Sequence, residues 1–196
     1  MTKIQIVPRG TICNFITYYE LLKKWNPKIN LVAKSTLDDF WNRHLLDSLQ
    51  LCKYVENASD KILIDLGSGA GFPGMVLAMM GFLEVHLIES DQRKCAFLNE
   101  VVRETKTKAE VHSQRIENNL SKGNIVTARA LSPLNELLAM SEDKLLPGGE
   151  CLFLKGEQWQ QEIEQAKKDF SFDCTAHESV TDKNSRVLQI KNIKKV

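Results

Sequence analysis

The run Ile62-Leu63-Ile64-Asp65-Leu66 passes directly into Gly67-Ser68-Gly69-Ala70-Gly71-Phe72-Pro73-Gly74. The apolar stretch reads as a buried strand. Four glycines within eight residues let the following backbone turn left-handed and approach a small molecule that a Cβ would hold off. Pro73 near the first helical position and Gly81 just past the last one predict a helix from about Pro73 to Met80. A second strand, Glu84-Val85-His86-Leu87-Ile88-Glu89, ends in a carboxylate about 20 residues beyond the glycines, where the hydroxyls of a ribose would find an acceptor. Asp91 is the next acceptor along if Glu89 faces away.

This strand, loop, helix and strand predict a nucleoside site, and three nucleotide chemistries compete for it. Gly69, Gly71 and Gly74 match the dinucleotide pattern G-x-G-x-x-G, but that fingerprint starts immediately after its strand. Counting from Gly67 puts bulky Phe72 where a small residue should pack helix against strand. Asp65 adds a fixed anion that suits a sulfonium or an α-ammonium group better than a pyrophosphate. A Walker loop is excluded because no Gly-Lys-Ser/Thr follows the glycines. S-adenosylmethionine is the expected cofactor, held by Gly67, Ser68, Gly69 and Glu89.

From Lys61 onward strand and helix alternate. Strands are expected over 61–66, 84–89, 109–112, 124–128 and Cys151–Leu154. Helices are expected over 73–80, 91–105 and 133–145, with the turn Pro147-Gly148-Gly149 before the fifth strand and a polar helix over 157–169 after it. Such alternation implies a parallel, doubly wound α/β sheet. Phe172–His177 and Arg186–Ile193 are joined by a link too short for a crossover helix, so they should pair antiparallel. Upstream, Ile12, Phe15, Ile16, Tyr19, Leu21 and Leu22 lie at helical spacing over 11–25, and Asn26-Pro27 should stop that helix. A second helix is expected from Ser35 or Thr36, each followed three residues later by an aspartate as in a capping box, and running through Leu45, Leu49 and Cys52. The expected organisation is a helical extension over 1–60 and an α/β domain over 61–196.

The 196 residues carry a net charge of +1 with no polycationic stretch, so a nucleic-acid partner would have to meet a folded patch rather than a charged tail. Five cysteines, Cys13, Cys52, Cys95, Cys151 and Cys174, are scattered and lack C-x-x-C spacing, as expected of reduced thiols in a cytoplasmic protein. The four histidines do not cluster along the chain, so no metal site is expected. No apolar run approaches the ~18 residues of a membrane span.

Other positions fit the same site. Ile116 and Glu117, after the third strand, could line an adenine, although Glu117 could equally be a solvated loop charge. Arg129 follows the fourth strand, where a switch-point crevice has its floor. Arg43 and Asp47 share a helix face at i, i+4 spacing, as do His44 and Ser48; on spacing alone a surface ion pair and a cap at the domain junction account for them. Lys155 ends a buried strand beside the expected cofactor mouth, and a snorkelling surface lysine is its plainer reading. Arg93-Lys94 read as the polar face of their helix.

Lys24-Trp25-Asn26, Ile29-Asn30-Leu31-Val32, Arg43-His44-Leu45-Leu46-Asp47-Ser48, Asp65–Gly74, Glu89-Ser90 with Lys94 and Phe97-Leu98, Ser113-Gln114-Arg115, Arg129-Ala130 and Leu154-Lys155-Gly156 occur in one order. This series resembles the RsmG (GidB) family of bacterial methyltransferases over roughly residues 20–160. The resemblance implies a Rossmann-like class I methyltransferase fold ending in an antiparallel hairpin. It also implies methyl transfer from S-adenosylmethionine to a guanine N7 of small-subunit ribosomal RNA, free or in a ribosomal particle. It carries a cofactor role onto Gly67, Phe72, Ile116, Glu117 and Arg129, and RNA contacts onto Arg43, His44, Asp47, Ser48 and Lys155. Glu89 stands where the family has aspartate, and the C-terminal portion diverges. Because N7 bears a lone pair and no proton, no catalytic residue pair is expected; a monomer without membrane or metal is. The cofactor loop by itself would also suit methylation of a small molecule or a protein, or a non-catalytic nucleotide-binding module.

Overall fold

A computed structural model describes residues 7–55, 60–81 and 84–196. Residues 1–6 and 56–59 of the expected extension lie outside the described residues. Seven strands form one sheet in the order β3-β2-β1-β4-β5-β7-β6: β1 (Ile62–Leu66), β2 (Glu84–Glu89), β3 (Ala109–Ser113), β4 (Gly123–Arg129), β5 (Leu145–Lys155), β6 (Phe170–Glu178) and β7 (Arg186–Lys195). β1 to β5 are parallel, and β7 runs antiparallel to both β5 and β6. The chain lays β1, β2 and β3 outward in one direction and then crosses back to β4. The switch point between β1 and β4 opens a crevice beyond their carboxyl ends.

Strand alternation sorts the core into two layers. Leu63, Val85 and Leu87 face α1 (Arg9–Ile29), α5 (Gly74–Met80) and α6 (Gln92–Thr105). Ile64, Leu66, Ile88 and Val126 face α7 (Leu134–Glu142) and α8 (Trp159–Ala166). α5 is buried along its whole length, as its sequence Gly-Met-Val-Leu-Ala-Met-Met requires, and it starts after Pro73 and ends at Gly81 with φ +75°. Asp91 caps α6 by accepting from Arg93 N and Lys94 N.

The N-terminal segment departs most from the pattern read in its sequence. α1 continues through Pro27 to Ile29 instead of stopping before it. In the last turn proline forfeits one amide bond, and Asn30 closes the helix in the left-handed conformation with its N–H on Asn26 O at 3.0 Å. The buried Asn26 side chain then accepts from Val32 N at 2.9 Å and turns the chain. The single helix expected from Ser35 or Thr36 is broken into α2 (Lys34–Leu37), a π-helical segment (Trp41–Leu46), α3 (Asp47–Leu49) and α4 (Cys52–Val55). α2 begins at Lys34, so Ser35 and Thr36 sit inside its first turn and form no side-chain cap. α7 ends at Glu142, and the Pro147-Gly148-Gly149 turn is absorbed into a register shift of β5. α8 is shorter at both ends than the polar stretch suggested.

Tyr18 fastens this segment to the sheet. Fully buried, it lies 5.2 Å from Phe72 and 6.2 Å from Phe97 between ring centroids, and its hydroxyl donates to Ala70 O in the glycine loop. Gly71 must be glycine at this contact: its φ is +99°, and a Cβ would stand 2.7 Å from the Tyr18 hydroxyl.

Candidate functional site

The crevice at the switch point is a cleft of about 980 Å³. All eight residues expected to hold the cofactor, Gly67, Ser68, Gly69, Phe72, Glu89, Ile116, Glu117 and Arg129, lie on its wall, drawn from the ends of β1, β2, β3 and β4. Gly67 has φ +59°, which favours glycine, and a Cβ there would meet Leu131 Cδ1 at 2.5 Å and push that side chain aside. Gly69 also has positive φ, but a Cβ there would meet only Gly67 O, at an ordinary 3.8 Å.

Glu89 spans the loop. Its Oε2 accepts from Gly69 N and its Oε1 from Asp91 N, both at 2.8 Å. Each carboxylate oxygen keeps a second acceptor direction, so Glu89 can fix the turn and still receive a hydroxyl pair from the cleft. Asp91 is committed elsewhere, to the α6 cap and to Arg93 Nη2 at 3.0 Å, and Arg93 holds its carboxyl down at about 2. Lys94, one residue on, reaches the cleft wall.

Asp65 corrects an expectation. It does not face the cleft. Strand alternation puts its carboxyl on the Leu63 side of the sheet, wholly buried beneath the first turn of α5. Oδ1 accepts from Thr127 Oγ1 at 2.8 Å, while Oδ2 has no hydrogen-bond partner. Burial pushes its pKa up to about 6. Gly74 crosses so close that a Cβ there would lie 2.7 Å from Asp65 Cβ. The acid supports the loop from below rather than facing a cofactor cation.

Arg129 organises the opposite wall. Its Nη1 donates to Arg43 O at 2.9 Å and to Asp47 Oδ2 at 3.2 Å, and its Nη2 donates to His44 Nδ1 at 3.0 Å. Its guanidinium carbon lies 4.8 Å from the centroid of the Phe72 ring, on which His44 also stacks at 4.8 Å with 18° between planes. Because arginine only donates, His44 Nδ1 accepts, and Nε2–H therefore donates to Thr36 Oγ1 at 3.0 Å. Burial, reinforced by the Arg129 and Arg43 charges, lowers His44 to about 4, so the ring is neutral near pH 7.

The expected Arg43–Asp47 face is not the pairing found. The π-helical turn changes the spacing between residues 43 and 47, and Asp47 instead turns to Arg129 on β4. Asp47 Oδ1 also accepts from Thr181 Oγ1 and Gln50 Nε2, tying the segment to the β6–β7 link. Arg43, His44, Asp47 and Lys155 line the cleft, whereas Ser48 does not: it is wholly buried and donates to His44 O at 2.7 Å. Lys155 is no snorkelling surface residue. Its ammonium donates to Ser132 O at 2.9 Å and pairs with Glu162, which also accepts from Leu134 N.

Sequence reasoning missed Leu131, Ser132, Thr181, Asp182 and Arg186, which are among the further residues of the wall. Leu131, Ser132, Thr181 and Asp182 sit on links between elements, and Arg186 opens β7. Leu131 alone had a signal, since it follows the Arg129-Ala130 pair at the end of a strand.

The family profile GidB, rRNA small subunit methyltransferase G, matches residues 11–191. The chain is 46% identical over 188 residues to a protein of Paramagnetospirillum magneticum named ribosomal RNA small subunit methyltransferase G, covering 95% of this chain and 91% of that one. Among solved structures it is similar in fold to a ribosomal protein L11 methylase from Lactobacillus delbrueckii subsp. bulgaricus, with a TM-score of 0.58, 17% identity and coverage of 74% of this chain and 78% of that one. It is also similar to TYW2 of M. jannaschii, solved in complex with AdoMet, with a TM-score of 0.57, 14% identity and coverage of 76% and 77%. At such identities the two structures speak to fold alone.

Proposed function

Because the chain belongs to the rRNA small subunit methyltransferase G family, we propose that it transfers a methyl group from S-adenosylmethionine to the N7 of a guanine in small-subunit (16S) ribosomal RNA. The observation that carries this reading is the Glu89 carboxylate held across a positive-φ glycine turn at the switch point of the sheet. That arrangement suits an adenosyl group with its ribose on Glu89 and its adenine toward Ile116 and Glu117. The cofactor supplies an electrophilic methyl on a positively charged sulfur. Guanine N7 supplies a lone pair without a proton to remove, so the residues need only align donor and acceptor and exclude water.

The roles of individual residues follow from chemistry. Gly67, Ser68, Gly69 and Phe72 form the cradle, and Arg129 holds Phe72 and His44 against it. The neutral His44 and the Phe72 ring form a flat apolar wall beside a cation. Arg43 is exposed at the rim, alongside Lys94, Arg115 and Arg186, and these four suit RNA phosphates. We read residues 1–60 as an extension that completes the cleft and 61–196 as the methyltransferase domain. The acceptor chemistry calls on no metal, and one chain furnishes every wall of the cleft, which suits a monomer. No helix among the described residues is long and apolar enough to cross a membrane, and a ribosomal substrate assigns the work to the cytoplasm.

Labelled S-adenosylmethionine, incubated with the protein and unmodified small subunits, should leave its methyl on 16S RNA as 7-methylguanine after nuclease digestion and mass spectrometry. Label on ribosomal proteins or free metabolites, with none on the RNA, would refute the assignment.

A further inference from the structure

The outer strands of the sheet gather a second group of ligating side chains away from the cleft. His86 on β2 and Glu110 on β3 are register partners, and His112 follows on β3 beside Ile88. Val85, Leu87 and Val111 point into the α1, α5 and α6 layer, so alternation turns His86, Glu110 and His112 together to the other face. The imidazoles stack with centroids 5.0 Å apart and 18° between planes, which brings His86 Nδ1 to 2.8 Å from His112 Nε2. Glu110 faces both: Oε2 is 3.7 Å from His86 Nδ1, and Oε1 is 3.7 Å from His112 Nε2. Among the described residues no other trio of His, Cys, Asp or Glu converges in this way.

From this convergence we propose that His86, Glu110 and His112 bind a divalent transition cation, with zinc the ion the ligand set suits best. Two imidazole nitrogens and one carboxylate oxygen, with a fourth position open to water, form a donor set that zinc accepts readily and magnesium or calcium does not. Ligand atoms around a tetrahedral zinc stand about 3.3–3.6 Å apart, given bonds of about 2.0–2.2 Å. The imidazole nitrogens stand 2.8 Å apart, Glu110 presents a different oxygen to each at 3.7 Å, and one ligand atom from each residue lies within 4.8 Å of the others, so rotation of the exposed carboxylate with a small parting of the rings admits the ion. Glu84 supplies the outer partner: its Oε1 lies 3.1 Å from His86 Nε2. Accepting the proton there leaves the Nδ1 lone pair directed at the shared centre, as in carboxylate–histidine–zinc arrangements. Without metal, a hydrogen bond from His112 Nε2 to His86 Nδ1 occupies the same geometry. The imidazoles are 12% and 16% exposed, whereas the Glu84 and Glu110 side chains are more than 60% exposed, so an ion has an open approach. Bound there, it staples the edge strand β3 just before Gln114–Glu117 enter the cofactor cleft.

Zinc chloride titrated calorimetrically into the chelator-treated full chain should bind one ion per chain. The titrated protein carries Cys13→Ser so that its exposed thiol does not compete. His112→Ala should abolish this binding, Glu84→Gln should weaken it ~10-fold or more, and His177→Ala should leave it unchanged. Since a substitution on an edge strand could disturb folding, histidine ring NMR on the chain with native His86 and His112 provides a second reading: zinc should shift His86 and His112 and leave His44 and His177 in place. No saturable binding, binding retained in folded His112→Ala, or shifts confined to the other histidines would overturn the site.

Discussion

Glu89 is the residue on which cofactor binding should depend most. Replacing it with alanine removes one bond to the glycine turn at Gly69 N, one to Asp91 N, and an acceptor for the ribose. Affinity for S-adenosylhomocysteine should fall by about 1–3 kcal/mol, the range for charge-assisted hydrogen bonds, and calorimetry reads this directly; equal affinity in the variant would move the ribose contact elsewhere. Gly67→Ala should act differently, because the added Cβ both strains a left-handed backbone and collides with Leu131. A loss of roughly 1–3 kcal/mol in thermal stability is expected, together with weaker cofactor binding. Both residues were readable from sequence, since a strand-end acid and a glycine loop advertise themselves locally. Asp65 and Ser48 were not, because which way a strand or helix residue turns depends on what packs above it. Gly74 and α5 claim the side of the sheet that Asp65 faces, and the π-helical turn folds Ser48 inward.

At the scale of elements, Arg129 joins β4 to the π-helical segment and the start of α3 through one backbone oxygen, one carboxylate oxygen and one imidazole nitrogen. Lysine carries the same charge but offers one compact ammonium, which cannot serve Arg43 O, Asp47 and His44 together while stacking on Phe72. Arg129→Lys should therefore lower stability by about 1–3 kcal/mol in chemical denaturation. It should also depress methyl transfer more than removal of rim charge by Arg43→Ala does. A lysine variant with wild-type stability and rate would show that the fork geometry is dispensable. The elements themselves divide by legibility. The strands and α5 follow from apolar runs bounded by glycine and proline, which are local signals. The broken helix over 34–55 does not, because its interruptions answer to distant partners: Arg129 draws on Arg43, His44 and Asp47, and Thr181 draws on Asp47. Likewise, scattered histidines suggested no metal ligands, yet parallel pairing of β2 with β3 sets two of them side by side.

For the whole molecule, two buried groups set opposing responses to acid. Asp65 titrates at about 6 in the fold, above its ordinary value near 3.8. The folded chain therefore holds that proton more tightly than the unfolded one, and the associated stability is full below pH ~4 and fades as pH rises to 6. His44 titrates at about 4, below its ordinary 6.5. Its contribution is full above pH ~6.5 and fades as pH falls to 4. Between pH 4 and 6 the two slopes oppose each other. Asp65→Asn should leave the histidine's slope exposed, so that unfolding midpoints drop with acid more steeply than in the unsubstituted protein. Urea titrations across that window test this, and parallel curves for the two proteins would dismiss it. The general architecture was legible because alternating β and α segments permit few layouts, and the short link before the last strand forbids a crossover. That strand is also where topology meets biosynthesis. β7 is laid down last yet lies inside the sheet, with β5 on one flank and β6 on the other. A nascent polypeptide arrested before residue 186 would leave β5 with a bare flank and β6 with no neighbour, and the wall that includes Arg186 unbuilt. Competence to methylate thus waits until the seventh strand slots home, and a product truncated before it would be an unfinished sheet rather than a slower enzyme.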